Sequence, residues 1–283
     1  MTDWFSIPHL TGVRVTGEDA TAFCQAQFTA DFREFAPDRW RVTAWCDPKG
    51  RCLAIILAAA GEGRVDLVLP ASQASLLARL KMYAIGRKLS FSEPAPVAGT
   101  FAPTENDHLV SPDPARALRL LDDAEIVNPP QARPDAVRAW RIADLCQPVP
   151  WLMPASSAKF LPQFLGLEDN EGLSYTKGCF PGQEVIARLH YLGRTKYHLL
   201  GFELPVGNAA DLERPDQLAT LSGEPAGEIL NCLNTDGQLI GLAVSPIAVE
   251  PGAPAQLPHG PEGQVGRMTE IQRLCYYQRK LSD

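Results

Sequence analysis

The eight residues Lys177 to Glu184, KGCFPGQE, concentrate more chemistry than any other stretch of the chain. They hold a lysine, a cysteine, two glycines, a proline, a glutamine and a glutamate. A segment built only to pack a core carries more apolar side chains and fewer kinds of functional group. Gly178 and Gly182 permit left-handed backbone or a close approach to a ligand. Pro181 fixes its own φ and disfavours helical geometry at Phe180. The segment therefore reads as a shaped loop that presents Lys177, Cys179, Gln183 and Glu184. The plain alternative is a tight turn with a solvated lysine and glutamate and a buried cysteine.

Composition sets the frame for that loop. The chain has 283 residues, 45% of them hydrophobic and 21% charged, which is ordinary for a soluble globular protein and long enough for more than one domain. A net charge of -7 argues against binding duplex nucleic acid over the whole surface. Two stretches run against this trend. Residues 39–51 carry Arg39, Arg41, Lys49 and Arg51 against Asp47, and residues 177–196 carry Lys177, Arg188, Arg194 and Lys196 against Glu184. If they meet, they make a pocket for a small anion or a local footprint for RNA. The seven cysteines are widely spaced with no C-x-x-C, which points to a reducing cytosol and away from zinc ribbons and ferredoxin patterns. The five histidines form no ligand-spaced set, so no dedicated metal site is expected. The N-terminus shows no signal peptide, and the longest apolar run, Cys52 to Ala60, is too short to span a bilayer.

Several elements must position the loop. TGVRV at 11–15 reads as a strand, and Glu18 to Gln27 as a helix. WRVTAWC, RCLAIILAAA and VDLVL read as strands, with Asp47-Pro48-Lys49-Gly50 a turn between the first two. An amphipathic helix is expected over Gln73 to Tyr83, and the short strand KLSF follows. Proline becomes dense from Glu93 to Pro134, where short strands and a short helix join irregular chain. A helix over Asp135 to Leu145 leads toward the loop. Val185 to Leu189 continues the loop as helix, with Gln183 or Glu184 in its first turn, where an acidic side chain suits the dipole. After Lys196, short strands broken by glycine and proline signal a small barrel or sandwich. Met268 to Leu281 is expected to close it, with Tyr276 and Tyr277 partly buried. The fold class is α+β. The expected domains are residues 1–195, two modules with a junction near 92–135, and residues 196–283, a C-terminal barrel.

KGCFPGQE followed by VIAR resembles the signature of the YgfZ-type folate-binding proteins, relatives of the glycine-cleavage T-protein. TGEDATAFCQAQFTAD at 16–31, WCDPKGR at 45–51, WRIADL at 140–145 and FLPQ at 160–163 resemble further family motifs in order and spacing. The likeness covers nearly the whole chain. It implies two interwoven α+β modules around a central cavity, a C-terminal β-barrel, and tetrahydrofolate or a derivative as ligand. It also implies partners among iron-sulfur client enzymes or cluster carriers, including a radical enzyme that thiomethylates tRNA. From cysteine usage and the short apolar runs the expectation is a cytoplasmic protein with no membrane contact, and a monomer is the default for its oligomeric state. The chain departs from the family at Cys24, Ala26 and Pro148. Compared with the T-protein, the aspartate pair after the turn glycine is replaced by Cys52 to Ile55, which argues against glycine cleavage.

On this resemblance Cys179 is the candidate reactive thiol, with Lys177 expected to favour its thiolate. It would bind iron transiently, attack a disulfide or persulfide, or accept a one-carbon unit. Glu184 and Gln183 suit the paired donors of a pterin, with Gln163 and Asp144 weaker candidates. Lys49, Arg51 and Arg188 suit the anionic glutamate tail, and Asp47 either joins them or caps its own turn. Gln25 and Gln27 are candidates to face the expected cavity, the alternative being that one of them is a solvated helix residue. Three functions follow: a folate-dependent accessory protein for iron-sulfur enzymes acting through Cys179, a tetrahydrofolate-dependent one-carbon transferase or demethylase, and an RNA-presenting module. Whether the first turns over as an enzyme stays open.

Overall fold

A computed structural model describes residues 3–37, 39–105, 107–110, 113, 115–206, 217–258, 265–275 and 277. Tyr276 and residues 278–281, part of the expected closing segment, lie outside these, as does His259. The chain divides into two compact units. The first is Met1–Val137 with Ser157–Pro162 and Leu167–Ala187, and the second is Arg138–Ser156 with Gln163–Gly166 and Arg188–Asp283.

In the first unit β1 (Phe5–Thr16) leads to α1 (Ala20–Gln27), then β2 (Arg39–Cys46), β3 (Cys52–Gly61) and β4 (Arg64–Pro70). There follow α2 (Ser75–Met82), β5 (Ser90–Phe91), β6 (Ala95–Thr100), β7 (Leu109–Val110), β8 (Ala117–Leu120) and α3 (Asp123–Val127). The strands form one sheet in the order β4-β3-β2-β7-β8-β6-β1-β5, and β1 also pairs with β4, so seven of them close into a ring. The parallel β2–β7 pair, Arg39 with Leu109 and Trp40 with Val110, knits the early strands to the later ones. Strand β3, CLAIILAAAG, is buried along nearly its whole length, as an uninterrupted apolar run requires when both faces are covered. On one face Val13, Ala54, Ile56, Val65 and Leu67 pack against Phe23 and Cys24 of α1 and Leu77 and Leu80 of α2. At roughly 2 kcal/mol per buried large apolar side chain, such a cluster is a main source of stability for the unit.

The first strand is twelve residues, much longer than TGVRV, because Pro8 and His9 fall where the β1–β6 register shifts between Ser6 and Thr11. A proline at an irregularity leaves the ladder little disturbed. Helix α3 carries a complete capping box, Asp122 and Glu125 each accepting from the other's end of the first turn.

Two helices continue from the first unit into the second, α4 (Pro134–Cys146) and α5 (Gln183–Leu192). In the second unit the strands are β9 (Tyr197–Pro205), β10 (Gln217–Ala219), β11 (Pro225–Thr235), β12 (Gln238–Pro246), β13 (Pro254–Ala255) and β14 (Gly266–Thr269). They pair in the order β10-β11-β12-β9-β14-β13, and a bridge between Ala219 and Gln256 nearly closes the sheet into a barrel. Phe202, Leu218, Ile229, Leu239 and Met268 fill its interior. On its outer side Ile142 and Leu145 of α4 pack with Ile240, Leu242 and Leu274. The α+β class and the barrel-like C-terminal sheet are as the sequence implied. Among the described residues no helix is long and apolar enough to cross a membrane.

Candidate functional site

The Asp47–Gly50 turn joins β2 to β3. Its aspartate closes it: Oδ1 accepts the backbone N–H of Lys49 at 2.8 Å and of Arg51 at 2.9 Å. The backbone N–H of Gly50 donates to the Asp47 carbonyl at 2.9 Å. Of the two readings of Asp47, the capping one describes these bonds. Lys49 and Arg51 are exposed, and the Arg51 guanidinium donates to the Lys159 carbonyl. Cys46 and Cys52 face each other across the strands beneath the turn, their Sγ atoms 3.8 Å apart.

The KGCFPGQE loop is seated on that turn. Gly182, at φ +80°, lies so close that a Cβ there would sit 2.4 Å from the Gly50 Cα and 2.5 Å from the Asp47 carbonyl oxygen. Gly50 is itself at φ +77°, with Ile186 and Leu161 beneath it. Two motifs 132 positions apart in sequence thus touch through two glycines in left-handed backbone, which L-residues rarely adopt. Gln183 opens α5 and donates weakly through Nε2 to the Lys177 carbonyl at 3.4 Å. Glu184 is exposed in the first helical turn, where the helix dipole favours its charge. Phe180 is buried and pins the loop, while Gly178 and Cys179 are exposed, with open space where a Gly178 Cβ would stand.

Lys177 behaves differently from its neighbours. Its Nζ donates to the carbonyls of Gln25 and Phe28, each at 2.5 Å, and of Ala30 at 2.9 Å. These are the orphan acceptors at and beyond the end of α1. The ammonium also lies 5.1 Å from the Phe180 ring. Burial pulls Lys177 down to about 8, partly offset by Asp31 and by Cys24. The expectation that Lys177 offers its charge to a ligand or to Cys179 meets this arrangement: its three N–H donors are already given to backbone.

Around this anchor lies a network that the sequence did not announce. Asp31 is held well below the usual carboxylate range, first by its hydrogen bond to Arg33 and then by Gln25. Gln25 donates to Asp31 at 3.0 Å and accepts from the Phe32 N–H at 2.7 Å, so its side chain is fully engaged. Buried Thr29 donates to the Gly172 carbonyl at 2.6 Å. Burial pushes the Cys24 thiol up, with Lys177 opposing. The signal was present in the TAD that ends the α1 motif, since a buried aspartate after a helix is placed to cap the next turn. The Gln27 Oε1 is buried and has no hydrogen-bond partner among the described residues.

Lys177, Cys179, Gln183, Glu184, Asp47, Lys49 and Arg51 therefore share the first unit. Gln163 and Arg188 fall in the second. Gln163 is buried in a 3-10 turn, Pro162–Leu165, and Arg188 is exposed on α5. Asp144, also in the second unit, is buried and accepts the Trp151 indole N–H at 2.9 Å. Among the described residues no group of three or more His, Cys, Asp or Glu side chains is placed to hold a metal ion. What the first-unit group offers is one exposed thiol, one exposed carboxylate and two exposed cations on a pair of touching turns.

No family profile matches the chain. An uncharacterized protein of Haemophilus influenzae is 30% identical over 250 residues, covering 84% of this chain and 87% of the relative. The tRNA-modifying protein YgfZ of Vibrio atlanticus is 25% identical over 289 residues, covering 93% and 88%. The crystal structure of aminomethyltransferase T of the glycine cleavage system from Bartonella henselae superposes with a TM-score of 0.68 at 14% identity, over 94% of this chain and 84% of that one. That likeness is one of fold. With its motif run and these relatives, the chain belongs to the YgfZ-type family, with a T-protein-like fold.

Proposed function

We propose that the protein is a tetrahydrofolate-binding accessory factor that supports assembly or repair of iron-sulfur clusters in client enzymes, tRNA-thiomethylating radical enzymes among them. The observation that carries this reading is the contact of Gly182 with Gly50 and the Asp47 carbonyl, which joins the loop that bears Cys179 and Glu184 to the turn that bears Lys49. The residues fit the ligand chemically. The Glu184 carboxylate is exposed and able to accept two N–H groups of a pterin edge. Lys49 has no side-chain partner among the described residues and suits a carboxylate tail. Bound tetrahydrofolate would supply one-carbon or reducing chemistry; the chain's own part is to bind and orient it. Lys177 acts in this reading as a positioning residue, holding the loop on α1, and Asp47 as the brace of its turn.

Cys179 is proposed as the group that meets the client. It is exposed on a loop held at both ends, by Lys177 before it and by Phe180 and Gly182 after it. An iron-sulfur cluster is cargo here, and the other ligands come from the client or carrier. Relatives named tRNA-modifying protein support the link to tRNA modification.

Anaerobic calorimetry with tetrahydrofolate tests the reading. Micromolar binding is expected for the wild type, lost in Glu184→Ala and kept in Cys179→Ala. No binding to the wild type would sink the folate assignment and leave the loop as a docking surface.

A further inference from the structure

The first unit contains a cavity that the loop and its turn do not touch. It lies at the end of the sheet where β3 turns into β4, whereas the Asp47–Gly50 turn is at the other end of β3. The ten residues of that strand separate them by about 30 Å. The cavity has a volume of about 180 Å³. For scale, an engineered apolar cavity of about 150 Å³ takes up one benzene molecule.

Its deep walls are apolar. Trp40 and Leu118 are almost fully buried, and the Trp40 indole N–H is spent on the Leu118 carbonyl at 2.7 Å. Its rim carries three arginines against Asp66 and Asp107. Arg14, Arg64 and Arg119 line it with side chains 35%, 42% and 37% exposed. The carboxylates that balance them are already engaged. Arg14 gives Nε and Nη2 to Asp66, and Arg64 gives Nε and Nη2 to the same group. Arg119 holds Glu125 through both terminal nitrogens and stacks on Trp4 at 4.6 Å. Asp107 is turned into its own loop, accepting twice from Thr104. Donors remain: the Nη1 groups of Arg14 and Arg64 make no hydrogen bond among the described residues, and the Arg119 Nε is buried with no partner. The His108 ring, also at the cavity, has no hydrogen-bond partner among the described residues.

A rim rich in unspent donors over an indole-lined floor selects an acceptor attached to a flat apolar body. We infer that this cavity is a second ligand site, for a small aromatic acid: one ring bearing a carboxylate or a phosphate. The inference does not rest on the folate reading, because it uses none of the same residues.

The test titrates the full chain with benzoate, phenyl phosphate and inorganic phosphate, followed by calorimetry and by tryptophan fluorescence, since Trp4 and Trp40 line the site. Arg64→Gln leaves Arg14 on Asp66, and His108→Ala removes a ring with no described partner, so both variants are expected to fold. Saturable binding of benzoate or phenyl phosphate is expected, roughly tenfold weaker in each variant and unchanged in Glu184→Ala. Inorganic phosphate, which leaves the indole walls unfilled, is expected to bind more weakly than phenyl phosphate. The proposal is overturned by no saturable binding of either ring acid up to about 10 mM, by equal affinity in both variants, by loss in Glu184→Ala, or by inorganic phosphate binding as tightly as phenyl phosphate.

Discussion

Lys177 carries the sharpest residue-scale consequence, because a charged amine 5% exposed is costly unless its donors are met. Here they are met by three carbonyls, so Lys177→Met leaves those acceptors without a donor and is expected to lower the unfolding free energy by about 3 kcal/mol, read by urea denaturation. The titration of the same group has a definite sign. Its folded value of about 8 lies below the ordinary 10.5, so between these the unfolded chain holds the proton that the folded chain has released. Stability therefore rises with pH across that window through this group, by at most about 1.4 kcal/mol per pH unit. The Cys24 and Cys52 thiols, both pushed up by burial, act oppositely above their ordinary 9.0. The measurement is thus a difference: the stability gap between wild type and Lys177→Met is expected to widen from pH 8 to pH 10. A gap independent of pH would mean that Lys177 titrates as a solvated lysine.

The contact between the two glycine turns is the element-scale feature on which the site depends. Gly182→Ala must move either Gly50 or the Asp47 carbonyl by several tenths of an ångström and adopt φ +80° as well. Gly178→Ala, in the same loop, meets nothing within 4 Å. The first is expected to lower stability by about 2 kcal/mol or more and to abolish tetrahydrofolate binding, the second to leave both unchanged in melting and calorimetry. Equal behaviour of the pair would remove the seated turn as the basis of the site. The sequence shows both turns plainly, through Pro48 and Gly50 in one and Pro181 and Gly182 in the other. It does not show that they touch, because nothing local in either segment encodes the partner. Helix α5 was legible from its start signals and continues past Leu189 to Leu192. The direction of the Lys177 side chain was not legible: a lysine in a functional motif looks the same whether it faces a ligand or a helix end. Ala26, where the family has glycine, sits within α1, which explains why that departure is tolerated. The cavity at the far end of β3 left no linear trace. Arg14 and Asp66 become neighbours only through the β1–β4 register.

At the scale of the whole molecule, charge decides between the accessory-factor and RNA-presenting readings. The net charge is -7 and the pI about 5.3, so any nucleic-acid surface must be local. The two basic stretches offer less than their sequences promise. Arg41 is buried and paired with Glu171 at 2.8 Å, and Arg51 is engaged with the Lys159 carbonyl. Lys177 is buried on α1. What remains exposed and not so engaged is Lys49 in the first stretch, where Arg39 is half-buried, and Arg188, Arg194 and Lys196 in the second. Each phosphate neutralised adds roughly 0.7 to 0.9 to the slope of log K against log salt, so at most four contacts give a shallow slope and weak binding near 0.15 M salt. Fluorescence anisotropy with labelled bulk tRNA is therefore expected to show no saturation below about 100 µM at that ionic strength. Reversing Arg188, Arg194 and Lys196 to glutamate is expected to change nothing measurable there. Low-micromolar binding with a slope steeper than about 5 would demand more charges than these two stretches display, and would return the RNA-presenting reading to first place.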